Sequence, residues 1–250
     1  MSSIAISSIV LACVFGGALF GMFLPTRLPE DHLSPKSTDL MKMGMGLLGT
    51  MSAMVLGLMF ASAKNTYDTG KAELTALSAK LVLLDRVLAH YGPDAQGARN
   101  ALREAVARAL DQGWSDRSQP SSGPPAPRGG EVLYDKIQNL SPANDQQRSV
   151  KSQALNIAID LGQTQWLMLE QQPRPTAPLF LNVIVFWFTM IFISFGILAP
   201  RNGTVVVTLF VCALSVSGAI FLILEMYSPF SGVIRVSSDP LRIALSHLGQ

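Results

Sequence analysis

The chain has 250 residues, of which 49% are hydrophobic and only 14% charged, and its formal net charge is +2. A soluble domain carries about 25% charged residues, so the composition argues against an ordinary soluble globule, and the small net charge leaves no electrostatic footprint for nucleic acid. The two cysteines and three histidines are too scattered for a disulfide framework or a metal-ligand set.

In chain order, residues 4–24 form the first long apolar run. No basic side chain precedes it, and its end, Gly21-Met-Phe-Leu-Pro25, is a poor signal-cleavage site, which predicts a retained helix. Residues 41–63 form the second run, with Lys42 as its sole charge. About 20 apolar residues cross a bilayer as a helix, so both runs read as spans. Within the second, Gly49, Ala53, Gly57 and Ala61 fall four apart on one face. Small residues at that spacing let helices approach closely or leave room along a pore, and both uses stay open. Gly17 and Gly21 repeat the pattern more weakly, which predicts that the first two spans pack together. Cys13 and Cys212, both inside apolar runs, read as small packing residues.

Beyond Ala63 no proline interrupts the chain until Pro93. Leu74, Leu77, Leu81, Leu84, Leu88 and Tyr91 recur at alternating spacings of three and four, a heptad seam. One helix is therefore predicted from the second span to Gly92-Pro93, with the seam serving intramolecular packing or oligomerisation. Asp85 and Arg86 beside it read as a solvated face or an inter-subunit pair. Asp94 is placed to cap a helix over 95–110. Residues 115–130 hold four prolines, three glycines and four serines, which predicts an exposed loop. Ser141-Pro142 is placed to open a helix to about 169, which Pro173, Pro175 and Pro178 end. Residues 179–199 and 204–224 form two further spans, joined by a tight turn at Arg201-Asn202. Glu225 closes the last one. An ionisable residue at a span is a functional candidate by default; it suits an ion pair with Lys64 or Arg235, a helix-end role or a place on a conduction path. Asp239-Pro240 then restarts a short amphipathic helix.

The expectation is an all-α membrane protein: four transmembrane helices in two hairpins, with a cytosolic helical bundle between the second and third. Its parts are a first hairpin over 1–63, the bundle over 64–175, a second hairpin over 176–227, and a C-terminal turn and helix over 228–250. The termini and the middle segment share one side. Lys64, Lys71, Arg174, Arg235 and Arg242 lie near the membrane there, against Arg27, Lys36, Lys42 and Arg201 opposite, a bias that predicts a cytoplasmic middle segment. No nucleophile–base pair, metal-ligand set or phosphate loop is visible, so neither an enzyme nor a cofactor is expected. The expected partners are lipid, further copies of the chain and permeating ions.

Three stretches together suggest a family. They are Phe195-Gly-Ile-Leu-Ala-Pro-Arg-Asn-Gly203; Gly218-Ala-Ile-Phe-Leu-Ile-Leu-Glu-Met-Tyr-Ser-Pro-Phe-Ser-Gly232 with Ile234-Arg-Val-Ser-Ser-Asp-Pro-Leu241; and Leu84-Asp-Arg-Val-Leu-Ala-His-Tyr-Gly-Pro93 with Arg99 and Leu102-Arg103. Over nearly the whole chain the sequence resembles the bacterial membrane proteins grouped as a bestrophin-like domain of unknown function. The resemblance implies kinship with bestrophins, which are oligomeric anion channels gated on the cytosolic side, and a place in the bacterial inner membrane. It is a likeness of layout: no acidic calcium clasp and no aromatic pore neck can be matched here. The leading expectation is an oligomeric channel with Gly49, Ala53, Gly57 and Ala61 as its pore or packing face. The alternative is a non-conducting scaffold or sensor with a helical interaction surface.

Overall fold

The computed structural model describes residues 2–26, 35–114, 129–170, 177–230 and 232–249. Every regular element among them is helical: α1 (Ser3–Phe23), α2 (Pro35–Tyr91), α3 (Gln96–Trp114), α4 (Gly129–Gln138), α5 (Asp145–Glu170), α6 (Ala177–Leu198), α7 (Gly203–Met226) and α8 (Asp239–His247). Among the described residues four helices are long and apolar enough to cross a membrane: α1, α2, α6 over Phe180–Leu198, and α7. The expected proline-rich loop falls almost entirely outside the described residues, as do Pro173 and Pro175.

The expectation that the second span continues without a break holds, since α2 runs 57 residues. At 1.5 Å per residue it is roughly 85 Å long, far more than a hydrocarbon core of about 30 Å can contain. It stops at Gly92, whose φ of 113° suits only glycine without strain, followed by Pro93, which cannot continue the helix. Asp94 falls inside a short 3₁₀ turn, Pro93–Ala95, so α3 starts two residues after it rather than on it. The start of α5 also differs from the Ser141-Pro142 expectation. Asn144 is its cap: the side chain accepts the Gln147 N–H at 2.8 Å, while the Gln147 side chain accepts the Ala143 N–H at 2.7 Å. Asn followed three residues later by Gln is a variant of the reciprocal capping pattern, with the return bond taken from the residue before the cap, and it outcompetes the bare Ser-Pro signal.

The chain divides into two compact units. Met1–Tyr67 with Pro173–Ile234 form the first. Here α1 packs against both α6 and α7. The α1–α6 approach is close because glycines make it: a Cβ built on Gly21 would strike the Ile193 carbonyl, and one on Gly196 the Ala18 carbonyl. Gly17 meets Thr189 on the same line. Gly17 and Gly21 thus serve α6 rather than the second span, while Met59 and Ala63 of α2 share one buried cluster with Val10, Val14 and Ala18 of α1. A buried bond fastens α1 to α7, with Ser217 Oγ donating to the Ser7 carbonyl at 2.6 Å. Arg201 donates to the Met22 carbonyl at 3.0 Å, where a cation satisfies the last carbonyls of a helix and the negative end of its dipole. Asn202 caps α7 by accepting the Val205 N–H. Cys13 and Cys212 are free and exposed on the helix surfaces, which corrects their reading as packing residues.

Asp68–Gln172 with Arg235–Gln250 form the second unit. Leu74, Leu81, Leu84, Leu88 and Tyr91 are buried, so the heptad seam is spent on packing within the chain. Contacts of α3 with α4, α4 with α5, and α3 with α8 build the rest. Polar ties close the ends. Lys80 bridges to Asp160 at 2.9 Å, Gln147 donates to the Tyr91 carbonyl at 3.0 Å, and Lys151 donates to the Gln138 and Leu140 carbonyls. On α5, Ala154 and Leu161 are buried.

Candidate functional site

The first candidate is the small-residue face of α2. In a helix, residues three and four apart share a face, so Gly49, Ala53, Gly57 and Ala61 form one line. Inside the chain that line meets almost nothing. A Cβ built on Gly49 or Gly57 finds no atom within 4 Å, and Ala53, Gly57 and Ala61 are exposed. The side of α2 that faces the first unit's core is a different one. It carries Met59 and Ala63, with Leu48, Val55 and Leu56 partly buried beside them. Ser52 lies buried as well, its Oγ without a hydrogen-bond partner among the described residues. Gly17 and Gly21 of α1 and Gly196 of α6 are consumed by packing within the chain; Gly49 and Gly57 of α2 are not.

Charge brackets the line. Lys42 lies seven residues before Gly49, and its exposed pair with Asp39, at 3.4 Å, is of the weakly stabilising kind. Lys64 lies three residues beyond Ala61 and is exposed.

The second candidate, Glu225, is 2% exposed in the last turn of α7. Its Oε2 accepts the backbone N–H groups of Val233 and Ile234. Successive N–H groups aimed at one oxygen are an anion cradle, and here the anion is the protein's own carboxylate. The turn that builds the cradle needs glycine twice over. Gly232 has φ 92°, and a Cβ there would run into the Glu225 carboxylate. Glu225 thus makes backbone bonds in a helix-end role, beyond the side-chain pairing with Lys64 or Arg235 that the sequence suggested. Arg235 itself is exposed.

Sequence reasoning missed a third constellation, in the second unit. Asp85 is 1% exposed, which corrects its reading as part of a solvated face; its neighbour Arg86 is exposed. Arg99 of α3 grips it through two parallel bonds, Nε to Oδ1 and Nη2 to Oδ2, each 2.8 Å. The Gly249 N–H donates to Oδ2 at 3.2 Å. Burial pushes the Asp85 pKa up, but the bonds from Arg99 and Gly249 and the charges of Arg99 and Arg86 outweigh it, so the net shift is downward. The Asp85 bond in turn raises the Arg99 pKa against the effect of burial. The signal was there: Asp85 lies four residues from Leu81 and three from Leu88. A globular helix buries a wider stripe than a strict seam, and Ser78, one turn and three residues earlier, is buried too.

Among the described residues no group of three or more His, Cys, Asp or Glu side chains could hold a metal ion. Comparison with curated proteins and with solved structures gives no match. A family model described as the bestrophin-like domain matches residues 12–241. That match covers α2, α6, α7 and the second half of α1, with most of both units, and with it the chain belongs to the bestrophin-like family of membrane proteins.

Proposed function

We propose that the protein is an oligomeric membrane channel of the bestrophin type, with its conducting path on the symmetry axis between copies and the Gly49–Ala53–Gly57–Ala61 face of α2 turned toward that axis. The observation that carries the reading is that this face is left uncovered by the chain's own helices, while Gly17, Gly21 and Gly196 on α1 and α6 are packed tight. A path needs a small or polar surface facing it, and a chain with four spans offers such a surface most simply between subunits. Glu225 then shapes the turn after α7 rather than the path, and Lys42 and Lys64 lie toward the two mouths. The termini and residues 64–175 are cytoplasmic, in the bacterial inner membrane. Reporter fusions at Gln119 and Glu30 check that topology; activity of a periplasm-only reporter at Gln119 reverses it.

Reconstitution into planar bilayers with bi-ionic potentials tests conduction. A measurable reversal potential is the expected result, and an assembled oligomer that passes no current overturns the reading. One observation favours the alternative, a non-conducting scaffold or sensor. Met54 and Leu58, which flank the line, are 79% and 72% exposed, and such apolar side chains suit lipid or a packed neighbour as well as a pore wall.

A further inference from the structure

Helix α8 has nine residues and docks on α3. Leu241, Ala244 and Leu248 are buried, while Ile243, on the other side, is 59% exposed. After α8 the backbone turns sharply. Leu248 is extended, with φ −72° and ψ 129°, and Gly249 has φ 86°. That left-handed turn aims the Gly249 N–H at Asp85 Oδ2, the same oxygen that receives Arg99 Nη2. One buried carboxylate therefore does two jobs. It ties α2 to α3 through Arg99, and it holds the chain beyond α8 through a single charge-assisted bond. The two ties differ in strength. The Arg99 pair is bidentate, and α3 is also supported by α4. By contrast, the buried side of α8 is small, Leu241, Ala244 and Leu248, and Gly249 adds a monodentate bond to Asp85.

We propose that α8 is a conformational latch: a C-terminal helix that docks on α3, is fastened by Asp85 through Gly249, and opens as a unit while α2 and α3 stay folded around the Asp85–Arg99 pair. Opening uncovers the apolar side of α8 and the part of α3 beneath it, and leaves the Asp85 carboxylate still paired. The latch stands independently of whether the protein conducts. Low-stability elements of this kind are where proteins place moving parts.

Hydrogen exchange on the full chain in detergent, read by mass spectrometry, tests it. In the parent protein the α8 amides exchange as a faster class than those of α3. Gly249→Pro removes the donor and forbids a positive φ, and the extended Leu248 tolerates a following proline, so the variant loses the fastener and little else. The expected result is α8 exchange faster by about tenfold or more, the scale of one bond to a charged group, with α3 exchange unchanged. Gly249→Ala keeps the N–H but disfavours the left-handed turn and shifts α8 in the same direction by less. Unchanged α8 exchange in Gly249→Pro overturns the fastener. Exchange of α8 and α3 as one class, in the parent or rising together in the variant, overturns the latch.

Discussion

Moving a carboxylate such as Asp85 out of water costs several kcal/mol even after relaxation, and the surrounding bonds must offset that cost. Removing the carboxylate alone would leave Arg99, whose side chain is 12% exposed, charged and without its main partner. Asp85→Ala should therefore destabilise the protein by about 3–5 kcal/mol, read as a fall in the unfolding midpoint, while Asp85→Asn keeps one acceptor and should cost less. The acid dependence has a definite sign. Folding holds the Asp85 pKa below its ordinary 3.8, so its stabilisation is fully present above that value and is lost as pH falls through the lower folded value. The difference in stability between the parent and Asp85→Asn should be flat above pH 3.8 and shrink below it; a gap that widens in acid would reverse the assignment. Gly232 gives a second test at this scale. Gly232→Ala meets both an unfavourable φ and the Glu225 carboxylate, so it should destabilise the turn after α7 by about 1–3 kcal/mol, whereas Gly203→Ala, where a Cβ meets open space, should not. The burial of Asp85 and the helix-end place of Glu225 were legible beside the leucine seam and at the close of the last apolar run, but their bonding partners were not. Each depends on partners that the fold supplies: Arg99 and Gly249 for one, a left-handed glycine turn for the other.

At the scale of elements, helix existence was legible and helix pairing was not. Apolar runs, the unbroken stretch from Ala63 to Pro93 and the heptad leucines all register in local sequence, because backbone period and proline chemistry are local. Which glycine meets which helix is decided by three-dimensional crossing. Gly17 and Gly21 looked like partners for α2, yet the glycine that answers them is Gly196, some 180 residues away in α6 and unremarked in the linear pattern. The α1–α6 contact therefore offers a clean test of what the glycines do. Gly196→Leu places a branched side chain against the Ala18 carbonyl and the Met22 amide, so the helices must separate. Overpacking typically costs about 1–3 kcal/mol, and a backbone clash belongs at the upper end of that range. Gly16→Leu on α1, where a Cβ finds nothing within 4 Å, serves as the control. Thermal unfolding in detergent should show a clear loss for the first and almost none for the second; equal losses would mean that helix propensity, not the crossing, governs.

For the whole molecule the question is what covers the Gly49–Ala53–Gly57–Ala61 face. Within one chain Gly57→Leu collides with nothing, so the isolated subunit should keep its stability. Any large effect must then come from what lies beyond the chain, which makes this substitution more telling here than at a glycine already packed. A channel axis predicts an intact oligomer whose conductance falls as the bulky side chain narrows or dewets the path. A seam between copies predicts loss of assembly instead, because overpacking a close helix contact costs about 1–3 kcal/mol per subunit. Lipid on this face predicts neither. Gly57→Cys adds an independent reading, since a water-lined position reacts readily with an aqueous thiol reagent and a lipid-facing or packed one does not. Cys13 and Cys212 are both free and exposed, so they are first changed to alanine. Thiol reaction at Gly57→Cys together with a conductance drop in Gly57→Leu is the outcome expected of a channel. An intact oligomer that neither reacts nor conducts would leave the same four helices as a scaffold, with the second unit as its working surface.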